Sequence, residues 1–189
     1  MPKVGQEPIR RAALVAATVE EIGQAGTLDV TVGQIAKRAG MSSALAHHYF
    51  GGKAQIFLAA MRHILSDYAA EVRAALLHAP KGQRLEAIVQ ANFAESCFRP
   101  ATVSAWLNFY VLAQTEPQAA RLLRVYQHRL RSNLVHALRG RSAAPVQTAE
   151  ALAAMIDGVY LRAALAGGGV DGAADRVLHA AYAMLGEAT

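Results

Sequence analysis

The stretch Thr31–Lys53, TVGQIAKRAGMSSALAHHYFGGK, decides the fold. It reads as two short helices joined by a tight turn and followed at once by a longer helix. Thr31 suits a cap for the first, running through Gln34 to Arg38, because its hydroxyl can accept from unpaired first-turn amides. Ala36 and Gly40 stand four apart, where a second helix must cross closely and the chain must turn sharply. A small side chain and a residue tolerant of positive φ meet those two demands. Ser42 caps the next helix, Ser43 to His48, whose apolar positions Met41, Leu45 or Ala46, and Tyr49 can pack under Ile35 and Ala39. That packing turns Ser43, Ala44, His47 and His48 outward. Small and hydrogen-bonding groups at the start of a second helix are what a major groove requires of a helix that meets base edges. The plainer alternative is an αα-hairpin inside a helical core, with the two histidines solvated or capping. A zinc site at His47 and His48 has poor geometry, since adjacent helical residues point about 100° apart. No Cys or acidic partner stands at ligand spacing, so no metal is expected.

Beyond the second helix, Tyr49, Phe50, Gly51, Gly52 and Lys53 combine an aromatic anchor, a flexible break and a lysine where the next helix begins. The string HHYFGGK after AGMSS resembles the signature of the TetR family of bacterial transcriptional repressors. That resemblance implies phosphate contacts from Thr31, Ser42, His48, Tyr49 and Lys53, and base contacts from Ser43, Ala44 and His47. Ala44 stands where the family commonly has glycine, and Ala46 where it commonly has a larger aliphatic residue.

The chain has 189 residues, 53% of them hydrophobic and 17% charged, which argues for a well-buried core and against disorder. One cysteine, Cys97, excludes an intramolecular disulfide and fits a reducing compartment. Charges such as Glu20, Glu21, Asp157 and Arg162 interrupt the longest apolar runs, so neither a membrane span nor a signal peptide is expected and the chain reads as cytoplasmic. The net charge of +5 is compatible with nucleic acid, yet residues 1–53 hold six Lys or Arg against four Asp or Glu. Placement therefore matters more than total: Lys3, Arg10, Arg11, Lys37, Arg38 and Lys53 could line one face.

The remaining sequence is helical throughout, with no strand-like alternation or repeat. After an extended basic opening, which is either a phosphate-binding arm or a frayed end, a first helix runs from about Glu7 or Pro8 to Gln24. A long fourth helix spans Ala54 to about His78, with Phe57, Met61, Ile64, Tyr68, Val72 and Leu76 recurring at steps of three and four. Pro80 and Gly82 then break the chain. A fifth helix is expected over Arg84 to Cys97, a sixth to about Gln114, and a seventh from Glu116 or Pro117 to Leu138. Residues Gly140 to Gln147 read as a linker, an eighth helix starts at Thr148 or Ala149 and stops at Gly167 to Gly169, and Asp171 caps a ninth. The expectation is thus an all-α chain of about nine helices. Residues 1–53 form a three-helix DNA-binding head, and residues 54–189 a ligand-binding and dimerisation body.

Aromatic residues carry the chemistry of that body. Phe93, Trp106, Phe109, Tyr110, Tyr126 and Tyr160, gathered round a cavity, would offer electron-rich faces to a cation that cannot form hydrogen bonds. Asp157, inside the apolar run AALAAMIDGVYLRAAL, could supply the counter-charge. From the residues alone, rings at helical spacing are more often core than cage, and Asp157 could pair with Arg162 or another arginine. Across MPKVG with PIRR, AGMSSALAHHYF, WLNFY, HRLRSNL and MIDGVYLRAAL, the chain resembles the branch of the family that represses synthesis of the osmoprotectant glycine betaine and responds to choline. The resemblance implies a homodimer joined by its last two helices, a double-stranded operator and choline as effector, with no cofactor. A different cationic or apolar effector is the alternative. An all-α enzyme fits poorly, because Ser42 and Ser43 lack a positioned base and Gly167 to Gly169 do not follow a strand.

Overall fold

The structure, a computed structural model, describes residues 6–166 and 171–187. Among the described residues there are nine α-helices and no strand: α1 (Gln6–Ala25), α2 (Val32–Arg38), α3 (Ser43–Phe50), α4 (Lys53–His78), α5 (Arg84–Asn92), α6 (Pro100–Thr115), α7 (Pro117–Leu138), α8 (Pro145–Leu165) and α9 (Ala173–Leu185). A 3-10 turn, Glu95–Phe98, lies between α5 and α6. The all-α architecture is the one expected. Residues 1–5 of the proposed arm and the helix stop at Gly167 to Gly169 fall outside the described residues, and the rest of the arm, from Gln6, is already in α1.

The chain packs as two compact units. One runs to Ser66 and resumes over Arg99–Leu123; the other takes Asp67–Phe98 and the chain from Arg124 onward. In the first, α1 buries Leu14, Ala17, Val19 and Ile22 and packs against α2 and along α6. That second pairing was not expected from helix order, which places α6 in the C-terminal body. Its cause is at Gly23, where an added Cβ would stand 2.5 Å from both Cα and Cβ of Ala101. The two backbones approach as closely as a missing side chain permits. α6 also satisfies the end of α1: Ser104 Oγ donates to the Ile22 carbonyl at 3.4 Å, and Asn108 Nδ2 to the Gly26 carbonyl at 3.3 Å.

In the second unit, α9 packs on α8 and α5 around Leu85, Ile88, Leu152, Ile156, Val177 and Ala181, all buried. Arg141, just beyond α7, joins two carboxylates, Glu86 of α5 at 3.2 Å and Glu187 after α9 at 2.7 Å. The Tyr182 hydroxyl donates to the same Glu86 oxygen at 3.0 Å.

Three boundaries differ from the sequence reading, the end of α5, the start of α8 and the cap of α9. α5 ends at Asn92 rather than Cys97, because Asn92 turns its amide back onto the Ile88 carbonyl at 2.8 Å and the chain tightens into the 3-10 turn. α6 begins at Pro100 and α8 at Pro145, each proline occupying the first helical position where its missing N–H costs nothing. The expected linker is correspondingly shorter. Asp171 does not cap α9: Gly172, at φ 67°, takes that position without a side-chain hydrogen bond.

Candidate nucleic-acid interface and effector site

Two caps build the helix-turn-helix from its local sequence. Thr31 Oγ1 accepts from the Gln34 amide at 3.1 Å while Gln34 Oε1 accepts from the Thr31 amide at 2.7 Å, a reciprocal capping box. Ser42 Oγ accepts from the Leu45 amide at 3.2 Å and starts α3. Between them Gly40 adopts φ 66°, and Ala36 is fully buried. Of the alternatives for the inward position of α3, Ala46 is the fully buried one and Leu45 is half-buried. A methyl group is what fits so close a crossing.

Ser43, Ala44, His47 and His48 are all exposed, on the face expected to meet base edges. Thr31, Lys37 and Ser42 are exposed as well, and Tyr49 and Lys53 are half-buried. Lys53 lies with Nζ 5.4 Å from the centre of the Phe57 ring. Two of the arginines expected to line this surface are engaged elsewhere. Arg38 holds Glu21 and Gln24 of α1, and Arg11 donates to the Tyr49 carbonyl at 2.6 Å.

The second unit contains a carboxylate held by a tyrosine pair, and a further group of three aromatic rings. The Tyr126 hydroxyl donates to Asp157 Oδ1 at 2.8 Å, and the Tyr68 ring meets Tyr126 edge-on at 5.4 Å. Tyr68 in turn donates to Asn92 Oδ1 at 2.9 Å. Tyr160 packs on Phe98 at 4.6 Å, Phe98 on Phe93 at 6.3 Å, and the Tyr160 hydroxyl donates to the Cys97 carbonyl at 3.2 Å. Burial pushes the Asp157 carboxyl above the ordinary carboxylate value, and the Tyr126 hydrogen bond pulls it part of the way back. Burial likewise holds the Tyr68 phenol well above its usual range. The partner Asp157 finds is thus a phenol, while Arg162 is exposed.

Four of the seven sequence-selected ligand residues, Phe93, Tyr126, Asp157 and Tyr160, belong to this unit. Trp106, Phe109 and Tyr110 belong to the first, where Trp106 and Tyr110 stand edge-on at 5.3 Å and Phe109 is 1% exposed. Tyr68, Phe98 and Asn92 join these contacts without having been selected from the sequence. Tyr68 sat in the apolar stripe of α4 and read as core, and its polar tip was the available signal. Phe98 gave no periodic signal, because it lies in a 3-10 turn.

Taken together, the capped α2–turn–α3 element and its exposed outer face define a helix-turn-helix DNA-binding regulator. Comparison with known proteins narrows the class. Residues 14–60 match the model for bacterial regulatory proteins of the TetR family, and residues 81–186 match that for the BetI-type transcriptional repressor C-terminal domain. The chain is 49% identical over 176 residues to an HTH-type transcriptional regulator BetI from Brucella melitensis, covering 92% of this chain and 89% of that one. It is 51% identical over 170 residues to one from Brucella anthropi, covering 87% of each. Among solved structures, a transcriptional regulator from Pseudomonas aeruginosa PAO1 superposes with a TM-score of 0.83 at 24% identity, covering 95% of this chain and 91% of that one. A regulator from Saccharomonospora viridis in complex with choline superposes with a TM-score of 0.80 at 21% identity, covering 89% and 93%. The chain belongs to the TetR family, with a BetI-type C-terminal domain, and is a DNA-binding transcriptional repressor rather than an enzyme. No helix among the described residues is long and apolar enough to cross a membrane.

The exposed face makes a separable prediction. Lys53→Ala weakens binding to every duplex and lowers the salt dependence by about one released counterion, whereas His47→Ala changes which base pair is preferred at one position. Anisotropy titrations against a panel of duplexes at several salt concentrations distinguish the two. Uniform loss in both variants would contradict base readout by His47.

Proposed function

We propose that the chain is a homodimeric cytoplasmic repressor of the genes that convert choline to glycine betaine, released from its operator when choline binds. The observation that carries this reading is Asp157, held by Tyr126 beside Tyr68 in a unit that also gathers Phe93, Phe98 and Tyr160. A trimethylammonium group offers no hydrogen-bond donor and keeps its charge at any pH, so ring faces and a carboxylate are the groups that recognise it. The BetI name of the relatives and the choline complex of a protein of the same fold support the assignment.

Dimerisation is supported by α8 and α9, which leave Leu161, Leu165 and Met184 43%, 70% and 46% exposed. In the proposed dimer these helices form a four-helix bundle with their counterparts, and two copies of α3 read half-sites about one helical turn apart. Ligand binding favours a state in which the two heads no longer fit successive grooves, so operator affinity falls.

Calorimetric titration with choline and with its uncharged carbon isostere, 3,3-dimethylbutan-1-ol, tests the assignment. Binding of choline alone is the expected result. Binding of neither, or of both alike, removes choline and leaves a repressor of another cationic or apolar effector. Operator affinity measured with and without choline tests release, and equal affinities would remove it.

A further inference from the structure

We infer that Arg11 is a positioning residue for DNA recognition: from α1 it fixes the end of α3 and thereby sets sequence selectivity, without itself touching DNA. The inference rests on α3 as the recognition helix.

The geometry begins with the shortness of α3. It has eight residues, and its exposed face carries nearly all the groups expected to meet base edges. Each base contact depends on side-chain placement to a fraction of an ångström, so a small rotation of so short a helix changes every contact at once. Something outside α3 must hold its C-terminal end. Gly51, at φ 77°, closes the helix by donating its amide to the His47 carbonyl at 2.7 Å, leaving later carbonyls without helical donors.

Arg11 supplies one of those donors. Its Nη1 lies 2.6 Å from the Tyr49 carbonyl oxygen, and its guanidinium carbon lies 4.6 Å from the centre of the Phe50 ring. A cation placed at the negative end of a helix dipole is favourable. The planar group adds direction, because it donates along its edge and stacks on its face. Glu7, one turn earlier on α1, approaches the same nitrogen at 3.5 Å and orients the guanidinium from behind. Arg38, at the end of α2, is held by Glu21 and Gln24 farther along α1. One helix therefore grips both members of the helix-turn-helix through two arginines. These two cations look available for phosphates in the sequence, and the structure gives both partners within the protein.

The experiment uses the full-length protein and a duplex selected by the unmodified protein from a random-sequence library, with a scrambled duplex of equal length beside it. Anisotropy titrations over a salt series follow the unmodified protein, Arg11→Gln and Arg11→Lys, and thermal melts report folding. The expected result for Arg11→Gln is about a tenfold loss on the selected duplex, the scale set by one charge-assisted hydrogen bond. Affinity for the scrambled duplex and the salt slope are expected to stay unchanged. Arg11→Lys keeps the donor without the flat stacking face, and is expected to recover part of the selectivity.

A salt slope reduced by about one would show Arg11 on a phosphate and overturn the inference. Equal loss on both duplexes, or unchanged affinity on both, would also overturn it. Should Arg11→Gln melt below the assay temperature, Arg11→Lys decides alone, and full wild-type selectivity in a folded protein without the stacked guanidinium would count against the inference. Failure of the unmodified protein to select any duplex would instead remove the DNA-binding reading on which the inference rests.

Discussion

Asp157→Asn lowers the affinity for choline by about a hundredfold, the scale of removing one member of a desolvated charge pair, and raises the thermal midpoint of the ligand-free protein at pH values above the folded pKa of that carboxyl. The two effects have one cause. Burial raises the Asp157 carboxyl above its ordinary value. A group whose folded pKa lies above its unfolded one contributes stability that is fully present below the unfolded pKa and is lost as pH rises through the folded pKa. Once ionised, the carboxylate carries a desolvation cost that the Tyr126 hydrogen bond offsets only in part, and a bound cation would relieve the rest. Asparagine has no charge to desolvate and keeps an oxygen that accepts from the Tyr126 hydroxyl, which now donates at 2.8 Å. The advantage of the variant should shrink as pH falls towards and below the folded pKa, where the native aspartic acid becomes neutral too. Over the same interval the choline affinity of the unmodified protein should fall. Calorimetry of both proteins at several pH values checks each part. A ligand-free midpoint that drops on substitution would show Asp157 to be structural, and the effector assignment would lose its counter-charge.

Gly23→Val lowers stability by about 3 kcal/mol, at the upper end for an overpacked site, and the thermal midpoint by about 10 °C. The site has no slack. A Cβ at Gly23 would meet the Cα and Cβ of Ala101 at 2.5 Å, and backbone cannot rotate out of the way as the end of a side chain can. α1 and α6 would have to separate, disturbing the Ser104 and Asn108 hydrogen bonds that α6 makes to the end of α1. Ala101→Gly on the same background removes one of the two collisions, so partial recovery is expected. Melts of the single and double variants test this, and a midpoint for Gly23→Val within about 2 °C of the unmodified protein, equivalent to less than about 1 kcal/mol, would show that the crossing can open.

Asp157 and Gly23 mark the division between what the amino-acid order carries and what packing adds. The helix-turn-helix was legible because its determinants are local. Thr31, Gln34 and Ser42 bond to amides three residues away, and Gly40 takes the positive φ that its own lack of a side chain permits. The outward set Ser43, Ala44, His47 and His48 follows from helical periodicity once Ala46 faces inward. The aromatic composition and the carboxylate at Asp157 were legible too, but not their pairing. Tyr126 and Asp157 are 31 residues apart, and whether Tyr126 or Arg162 approaches the carboxylate depends on how α7 lies against α8.

The same distinction holds across the molecule. By itself, the sequence determined the helical class, the two capped helices, the exposed outer face of the second and the family, because these depend on neighbours within one or two turns or on a string of residues readable in order. Only the tertiary structure decided that α6 packs on α1, that Arg11 and Arg38 bind partners within the protein, that Tyr68 joins the Tyr126–Asp157 pair and that Phe98 stacks between Phe93 and Tyr160. These are contacts between residues distant in the chain. They are selected by shape and charge at the crossing of two helices, and no period within either helix encodes them.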